Sequence, residues 1–238
     1  MYQNQTPPPF RGYTQAAQIV ETTSNVMKRV YLKMTLGLLV TALVSLFCAG
    51  SHGYMSFMLT NSWFYWALFI AEIVLVMTIS GGINRLSSTT ATLLFYAFSV
   101  VNGLALAPIF IVYTMTSIAK TFFICSGTFG AMSIYGYFTT KDLTKWGNFL
   151  MYALFGLIIA SVVNIFTKSS TFDWILSGIG VLIFVGLTAW DTQKIKAIAE
   201  YTPSDRVGHL ATIGALNLYL DFINLFLLLL RFFGNQRD

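Results

Sequence analysis

Long apolar runs alternate with short polar stretches along most of the chain. Seven of these runs approach the length of about 20 residues that an α-helix needs to cross about 30 Å of hydrocarbon. They are Met34–Gly50, Trp63–Ser80, Ala91–Val112, Ile118–Thr139, Trp146–Phe166, Phe172–Trp190 and Ile213–Phe233. The regular alternation of apolar and polar residues that marks the strands of a membrane barrel does not occur. The pattern therefore predicts an all-α integral membrane protein with seven transmembrane helices.

The first 25 residues differ from the rest of the chain. They are mostly polar, include three consecutive prolines at positions 7–9, and contain no apolar core of the signal-peptide type. Such a segment cannot bury enough apolar surface to fold by itself. We expect a disordered tail over residues 1–25 and a single seven-helix transmembrane domain over residues 26–238.

The composition agrees with a membrane protein. Of the 238 residues, 56% are hydrophobic and only 10% are charged, whereas soluble domains contain about 25% charged residues. The net charge is +5, but the basic residues are scattered through the loops rather than gathered on one face. We therefore expect the lipid bilayer as a partner, and no nucleic acid.

The distribution of lysine and arginine predicts the orientation in the membrane, because cytoplasmic loops are enriched in both. With seven spans, ten of the 14 basic residues fall on the side of the N-terminus, and four fall on the other side. The first group is Arg11, Lys28, Arg29, Lys33, Arg85, Lys141, Lys145, Lys194, Lys196 and Arg206; the second is Lys120, Lys168, Arg231 and Arg237. The count predicts a cytoplasmic N-terminus and an external C-terminus, in what we expect to be a bacterial inner membrane.

The last apolar run contains polar residues that fall on one line of a helix. Asn217, Asp221, Asn224, Leu228 and Arg231 follow one another at spacings of three or four residues, which places them on one face. A carboxylate at membrane depth costs roughly 2.5–3.5 kcal/mol on insertion scales. This polar stripe should therefore face protein or water rather than lipid, with Asn217 and Asn224 supporting Asp221.

A second carboxylate is predicted to lie near the first. Asp191 ends the sixth run, and Asp221 lies eight residues into the seventh, or about 12 Å along the helix. Two carboxylates in one low-dielectric site would share a proton, and when ionised they could bind a hard cation such as calcium. Asp191 could equally be an interfacial helix end, and Asp221 could simply hydrogen-bond a neighbouring helix.

Glu72 and Arg231 are the remaining charges expected in the outer half of the membrane. Glu72 is isolated in the second run and needs a partner from another helix. Arg231 could supply that partner, although a long basic side chain near a helix end can also extend to the interface. The sequence therefore suggests, as one possibility, a Glu72–Arg231 pair.

Three separated motifs resemble the Bax inhibitor-motif family of membrane proteins. They are NGLALAPIF at residues 102–110, GLTAWDTQKI at residues 186–195 and LYLDFINLFLLLLRFFG at residues 218–234. The resemblance covers nearly all of the chain after the N-terminal tail. It implies a bundle in which six helices surround a central seventh, and a pH-sensitive calcium leak governed by a pair of aspartates.

The resemblance also implies roles for individual residues. Asp191 and Asp221 match the two aspartates of the switch, where calcium ions and protons would bind transiently. Arg231 matches an arginine that closes the pore, with Glu72 as its acidic partner. Arg85 matches a further arginine near the aspartates, although its spacing from Glu72 does not fix that assignment.

Other functions remain open from the sequence. A proton-coupled cation exchanger could use the same two aspartates, and no inverted repeat is evident, which weakly favours a leak. A scaffold for other membrane proteins would leave the charges in the membrane unexplained. An intramembrane aspartyl protease usually has a GxGD-type motif, whereas Asp221 follows Leu218, Tyr219 and Leu220. We therefore expect neither an enzyme nor a bound cofactor.

Overall fold

The computed structural model describes residues 11–82 and 85–235, with side chains from residue 19 onwards. The described residues form nine α-helices and one 3₁₀ turn, and no β-strand occurs among them. The helices are α1 Arg11–Ala49, α2 His52–Thr60, α3 Ser62–Gly82, α4 Ser88–Leu106, α5 Ile109–Val112, α6 Met115–Phe138, α7 Thr144–Thr167, α8 Ser170–Ala199 and α9 Val207–Phe233.

The first helix differs from the expectation for the N-terminal tail. α1 begins at Arg11 and continues without interruption to Ala49, so residues 11–25 are helical rather than disordered. The tail was predicted from its lack of apolar residues, but a helix that is anchored further along can extend into a polar segment. The first ten residues of the predicted tail, and Arg237 of the orientation count, lie outside the described residues.

Among the residues that the structure describes, six helices are long and apolar enough to cross a membrane. These candidate spans are Ile19–Ala49, Ser62–Gly82, Ser88–Val112, Thr144–Thr167, Ser170–Ala199 and Ser204–Phe233. They correspond to six of the seven predicted runs. The remaining run corresponds to α6, which has 24 residues but is not among these candidates.

The last helix is the most buried candidate span. In its most apolar stretch 67% of residues are buried, compared with 11% for the spans of α3 and α7. It packs against α1, α3, α4, α6 and α8. The other helices present large apolar side chains outwards, for example Phe47 and Phe166, as expected for surfaces in contact with lipid.

Two glycines allow α6 and α7 to approach α8 closely. A Cβ at Gly136 of α6 would collide with the carbonyl oxygen of Ala189, and a Cβ at Gly147 of α7 would collide with the ring of Trp190. Small residues permit such close contact between helices in membranes. Both contacts adjoin Asp191, so these glycines help to fix the position of that residue.

Several helix boundaries differ from the sequence prediction. The connection between the sixth and seventh runs is shorter than the gap between those runs, because α8 continues to Ala199 and the last helix begins at Val207. The third run is interrupted near Pro108, which separates α4 from the short α5. The unpredicted α2 is capped by Ser51, whose hydroxyl accepts a hydrogen bond from the Tyr54 amide at 3.4 Å.

Candidate functional site

A cavity of about 540 Å³ lies between α7, α8 and α9. The five members of the polar stripe all line it: Asn217, Asp221, Asn224, Leu228 and Arg231. Asp191 contributes from α8, while α7 contributes mostly apolar side chains and the hydroxyl of Ser161. The cavity therefore has a polar wall, formed mainly by the last helix, opposite an apolar wall.

The structure brings Asp191 and Asp221 together at this cavity. α8 and α9 are consecutive helices separated by residues 200–206, so they run antiparallel and the end of one lies beside the start of the other. The two carboxyl groups are within hydrogen-bonding reach of one another. A hydrogen bond between two carboxyl groups requires a proton on one of them.

The surroundings of the two aspartates are unequal. Asp221 is only 5% exposed, and its Oδ2 is buried without a hydrogen-bond partner among the described residues. Asp191 is partly exposed, and Lys194 is close enough to interact with it electrostatically. The pair therefore combines a deeply buried carboxyl group with one that lies nearer to the surface.

The oxygen atoms at this site are of the kind that a hard cation prefers. Asp191 and Asp221 supply carboxylate oxygens, and Asn217 and Asn224 line the same cavity with amide groups. Asn224 also donates a hydrogen bond from Nδ2 to the carbonyl oxygen of Leu220, at 2.8 Å. Carboxylate and amide oxygens are typical calcium ligands, so the residues present fit a transient calcium ion.

The predicted pairing of Glu72 with Arg231 is wrong. Arg231 Nη1 donates to Asp173 Oδ1 at 3.1 Å, while Glu72 Oε1 accepts a hydrogen bond from Asn102 Nδ2 at 3.0 Å. Asp173 lies in the first turn of α8, and Arg231 lies in the last turn of α9. Because these helices are antiparallel neighbours, the start of α8 lies beside the end of α9.

Glu72 belongs to a separate buried polar network on α1, α3, α4 and α9. The hydroxyl of Tyr219 donates to Asn102 Oδ1 at 3.0 Å and lies 2.6 Å from Thr41 Oγ1. Tyr219 is fully buried. It lies two positions before Asp221, so the two side chains point about 200° apart around the helix. The last helix therefore presents polar groups on two nearly opposite faces.

Arg85 is not brought to the paired aspartates. It is exposed, in the turn between α3 and α4, and it is not among the residues that line the cavity. The sequence assignment placed it there by family resemblance alone. Its position at the surface does not match that assignment.

Sequence reasoning missed Asp173, Asn102 and Tyr219 as parts of these polar contacts. Asp173 could have been found from the order of the helices, because consecutive antiparallel helices place the start of one beside the end of the other. Asn102 and Tyr219 are polar residues inside apolar runs, and each requires a partner when it is buried. The sequence alone does not say which helix provides that partner.

The fold and this cavity define a class: a multi-pass helical membrane protein with two neighbouring carboxyl groups beside a polar cavity. The family model for the inhibitor of apoptosis-promoting Bax1 matches residues 23–238. The chain belongs to this family, as the three motifs indicated.

Bacterial relatives support the same conclusion. The inner membrane protein YbhL of Escherichia coli K12 is 49% identical over 214 residues, which cover 89% of this chain and 92% of YbhL. A protein of Borreliella burgdorferi is 42% identical over 227 residues, covering 94% of this chain and 98% of the relative. Together with the six apolar helices among the described residues, the similarity to the inner membrane protein YbhL confirms an integral protein of the inner membrane.

Proposed function

We propose that this protein is a pH-sensitive calcium leak channel, in which Asp191 and Asp221 form the switch and bind the permeating ion transiently. The observation that supports this most is the position of the paired carboxyl groups beside a cavity lined by the polar stripe. Ionisable residues within membrane helices commonly mark ion or proton pathways. Asp221, with one buried oxygen lacking a partner, has that character.

The switch depends on how many protons the pair holds. One shared proton gives a short, charge-assisted hydrogen bond that keeps α8 and α9 together. Loss of that proton leaves two like charges, which repel one another or admit a cation between them. Protonation of both groups removes the charge-assisted bond and the attraction for a cation. Ion flux should therefore depend on pH.

Arg231 is proposed to influence the outer mouth of the same path. It lines the cavity that holds the two aspartates, and a guanidinium at that position repels cations. Asp173 offsets this charge through the ion pair at 3.1 Å. The pair thus adjusts the electrostatic potential at the mouth, in place of the predicted contact with Glu72.

The proposed architecture is a seven-span bundle with α9 at the centre and the N-terminus in the cytoplasm. The 24-residue α6 would be about 36 Å long, which is sufficient to span a bilayer. The high burial of α9 and its contacts with five other long helices support its central position. A cysteine introduced at Lys145 should be labelled only from the cytoplasm, and one at Asn61 only from outside; reversed labelling would overturn the orientation.

Calcium flux into liposomes that contain only this protein tests the function. A leak channel should let calcium enter down its own gradient whether or not a proton gradient is imposed. When the pH is the same on both sides of the membrane, the rate should depend on that pH. Entry that requires a proton gradient would identify the alternative, a proton-coupled cation exchanger. Absence of flux in both conditions would contradict both transport functions.

A further inference from the structure

A larger cavity, of about 1090 Å³, lies at the end of the bundle where three segments meet. These are the loop after α6, the last turns of α8 and the connection to α9. Three exposed cationic residues line this basic cavity: Lys141, Lys194 and Arg206. One comes from each segment, so the fold gathers charges that are far apart in the sequence.

One acidic residue also lines the cavity and offsets part of this positive charge, but the three cationic residues outnumber it. Within the part of the chain that the structure describes, Asp142 is the one carboxylate that lines the cavity. Its Oδ1 accepts a hydrogen bond from the Thr144 amide at 2.8 Å, and hydrogen bonds from Thr144 lower the pKa of Asp142. Asp142 is therefore committed, in its ionised form, to the start of α7.

Contacts with α8 hold the basic residues in place. Gln193 Nε2 donates to the carbonyl oxygen of Lys141 at 2.8 Å, and Gln193 Oε1 accepts from the Leu143 amide at 2.9 Å. These two bonds fix the loop after α6 against α8. The Lys194 ammonium lies 4.7 Å from the ring centroid of Trp190, whose ring also lines the cavity. Lys141 and Lys194 are thereby held on neighbouring segments.

The other lining residues suit the boundary between membrane and water. Trp190 and Tyr201 both line the basic cavity, and Tyr201 is 85% exposed. Aromatic side chains with a polar end are enriched at the level of lipid headgroups. Clustered lysine and arginine beside a membrane attract anionic headgroups by about 1 kcal/mol for each basic residue.

We propose that the basic cavity binds a phosphate group through Lys141, Lys194 and Arg206, supplied by an anionic phospholipid headgroup or by free phosphate. The guanidinium forms two parallel hydrogen bonds to phosphate oxygens, and the ammonium groups act as point charges. This site adjoins the paired aspartates through Lys194, which also interacts electrostatically with Asp191, but phosphate binding there does not depend on ion conduction.

Binding of phosphatidylglycerol tests the site directly. The full-length protein is purified in a neutral detergent with equal amounts of phosphatidylglycerol and phosphatidylcholine, and bound lipid is counted by native mass spectrometry. We expect the wild type to prefer phosphatidylglycerol. In the double variant Lys141→Gln, Lys194→Gln, that preference should fall about tenfold or more, because two charged contacts are lost.

The matched control is the double variant Lys145→Gln, Lys168→Gln. It removes the same charge from two exposed lysines that do not line the cavity, and it should keep the wild-type preference. A titration with inorganic phosphate, followed by thermal unfolding, distinguishes the two sources of phosphate. If phosphate stabilises the protein only when Lys141 and Lys194 are present, free phosphate is a ligand. If the lipid preference depends on these lysines but phosphate does not stabilise the protein, the ligand is the lipid headgroup.

Two results would overturn the site. If the Lys141→Gln, Lys194→Gln variant keeps the wild-type lipid preference, and phosphate has the same effect on both proteins, neither source binds at these lysines. Equal losses in this variant and in the Lys145→Gln, Lys168→Gln control would also contradict it, because they would reflect net charge alone.

Discussion

α8 and α9 are joined by polar groups at two places that differ in charge and in burial. At one place two carboxyl groups of like charge meet, and Asp221 is only 5% exposed. At the other, Arg231 and Asp173 form an ion pair at 3.1 Å with side chains 48% and 39% exposed. The same two helices therefore carry one contact that needs a proton and one that does not.

The two contacts should differ in how strongly they respond to pH. Exposed ion pairs contribute about 0–1 kcal/mol, because water and salt screen them. Buried like charges repel strongly unless a proton is shared, since little water is present to screen them. We therefore propose that the pH response comes from Asp191 and Asp221, and that Arg231 and Asp173 make only a small adjustment.

The largest effect on stability is expected for Gly136→Ala. The added Cβ would collide with the carbonyl oxygen of Ala189, a backbone atom that cannot rotate away, so we expect the upper end of the roughly 1–3 kcal/mol that overpacking costs. Thermal unfolding in detergent should show a clearly lower melting temperature than that of the wild type. The control is Gly127→Ala, where nothing lies within 4 Å; an equal loss in both variants would show that α6 does not support α8 beside Asp191.

A smaller loss is expected for Tyr219→Phe, on the opposite face of the last helix. Removal of the hydroxyl takes a donor from Asn102 Oδ1 and a partner from Thr41, which costs about 1–3 kcal/mol when the group is buried. The direct partners are neutral, but Asn102 also donates to Glu72, so the loss is measured in a Glu72→Gln background; there it should be the same at every pH at which the aspartate pair responds. Tyr152→Phe, at a residue 75% exposed, should leave stability unchanged; a strongly pH-dependent loss in Tyr219→Phe would instead connect this network to the switch.

The smallest effect is expected at the exposed ion pair. Asp173→Asn and Arg231→Gln should each reduce the free energy of unfolding by about 1 kcal/mol or less. A double-mutant cycle should give a coupling of similar size that decreases with added salt. A coupling of several kcal/mol that persists in high salt would mean that this end of the bundle is as important as the buried end.

Hydrophobic patterning predicted much of the fold, because length and apolarity directly reflect the thickness of the bilayer. Six of the seven predicted runs correspond to helices long and apolar enough to span it. The break at Pro108 in the third run agrees with the general rule that proline interrupts a helix. The start of α1 at Arg11 was not predicted, because a polar sequence does not reveal that a helix continues into it.

Contacts between helices were harder to predict than the helices themselves. The spacing of Asn217, Asp221, Asn224, Leu228 and Arg231 predicted a shared face, and all five residues line one cavity. The predicted partner of Arg231 was wrong, because the positions of charged residues in the sequence do not specify which helix faces meet. Chain order would have favoured Asp173, since α8 and α9 are antiparallel neighbours.

Calcium flux as a function of pH, in liposomes that contain the wild type or its aspartate variants, tests the central claim most directly. The account predicts that Asp191→Asn and Asp221→Asn each flatten the pH profile, because either change removes the shared proton. The double variant should be no flatter than either single variant, because the two residues act as one unit. A wild-type pH profile in both single variants would contradict the switch and leave Asp221 as a packing residue.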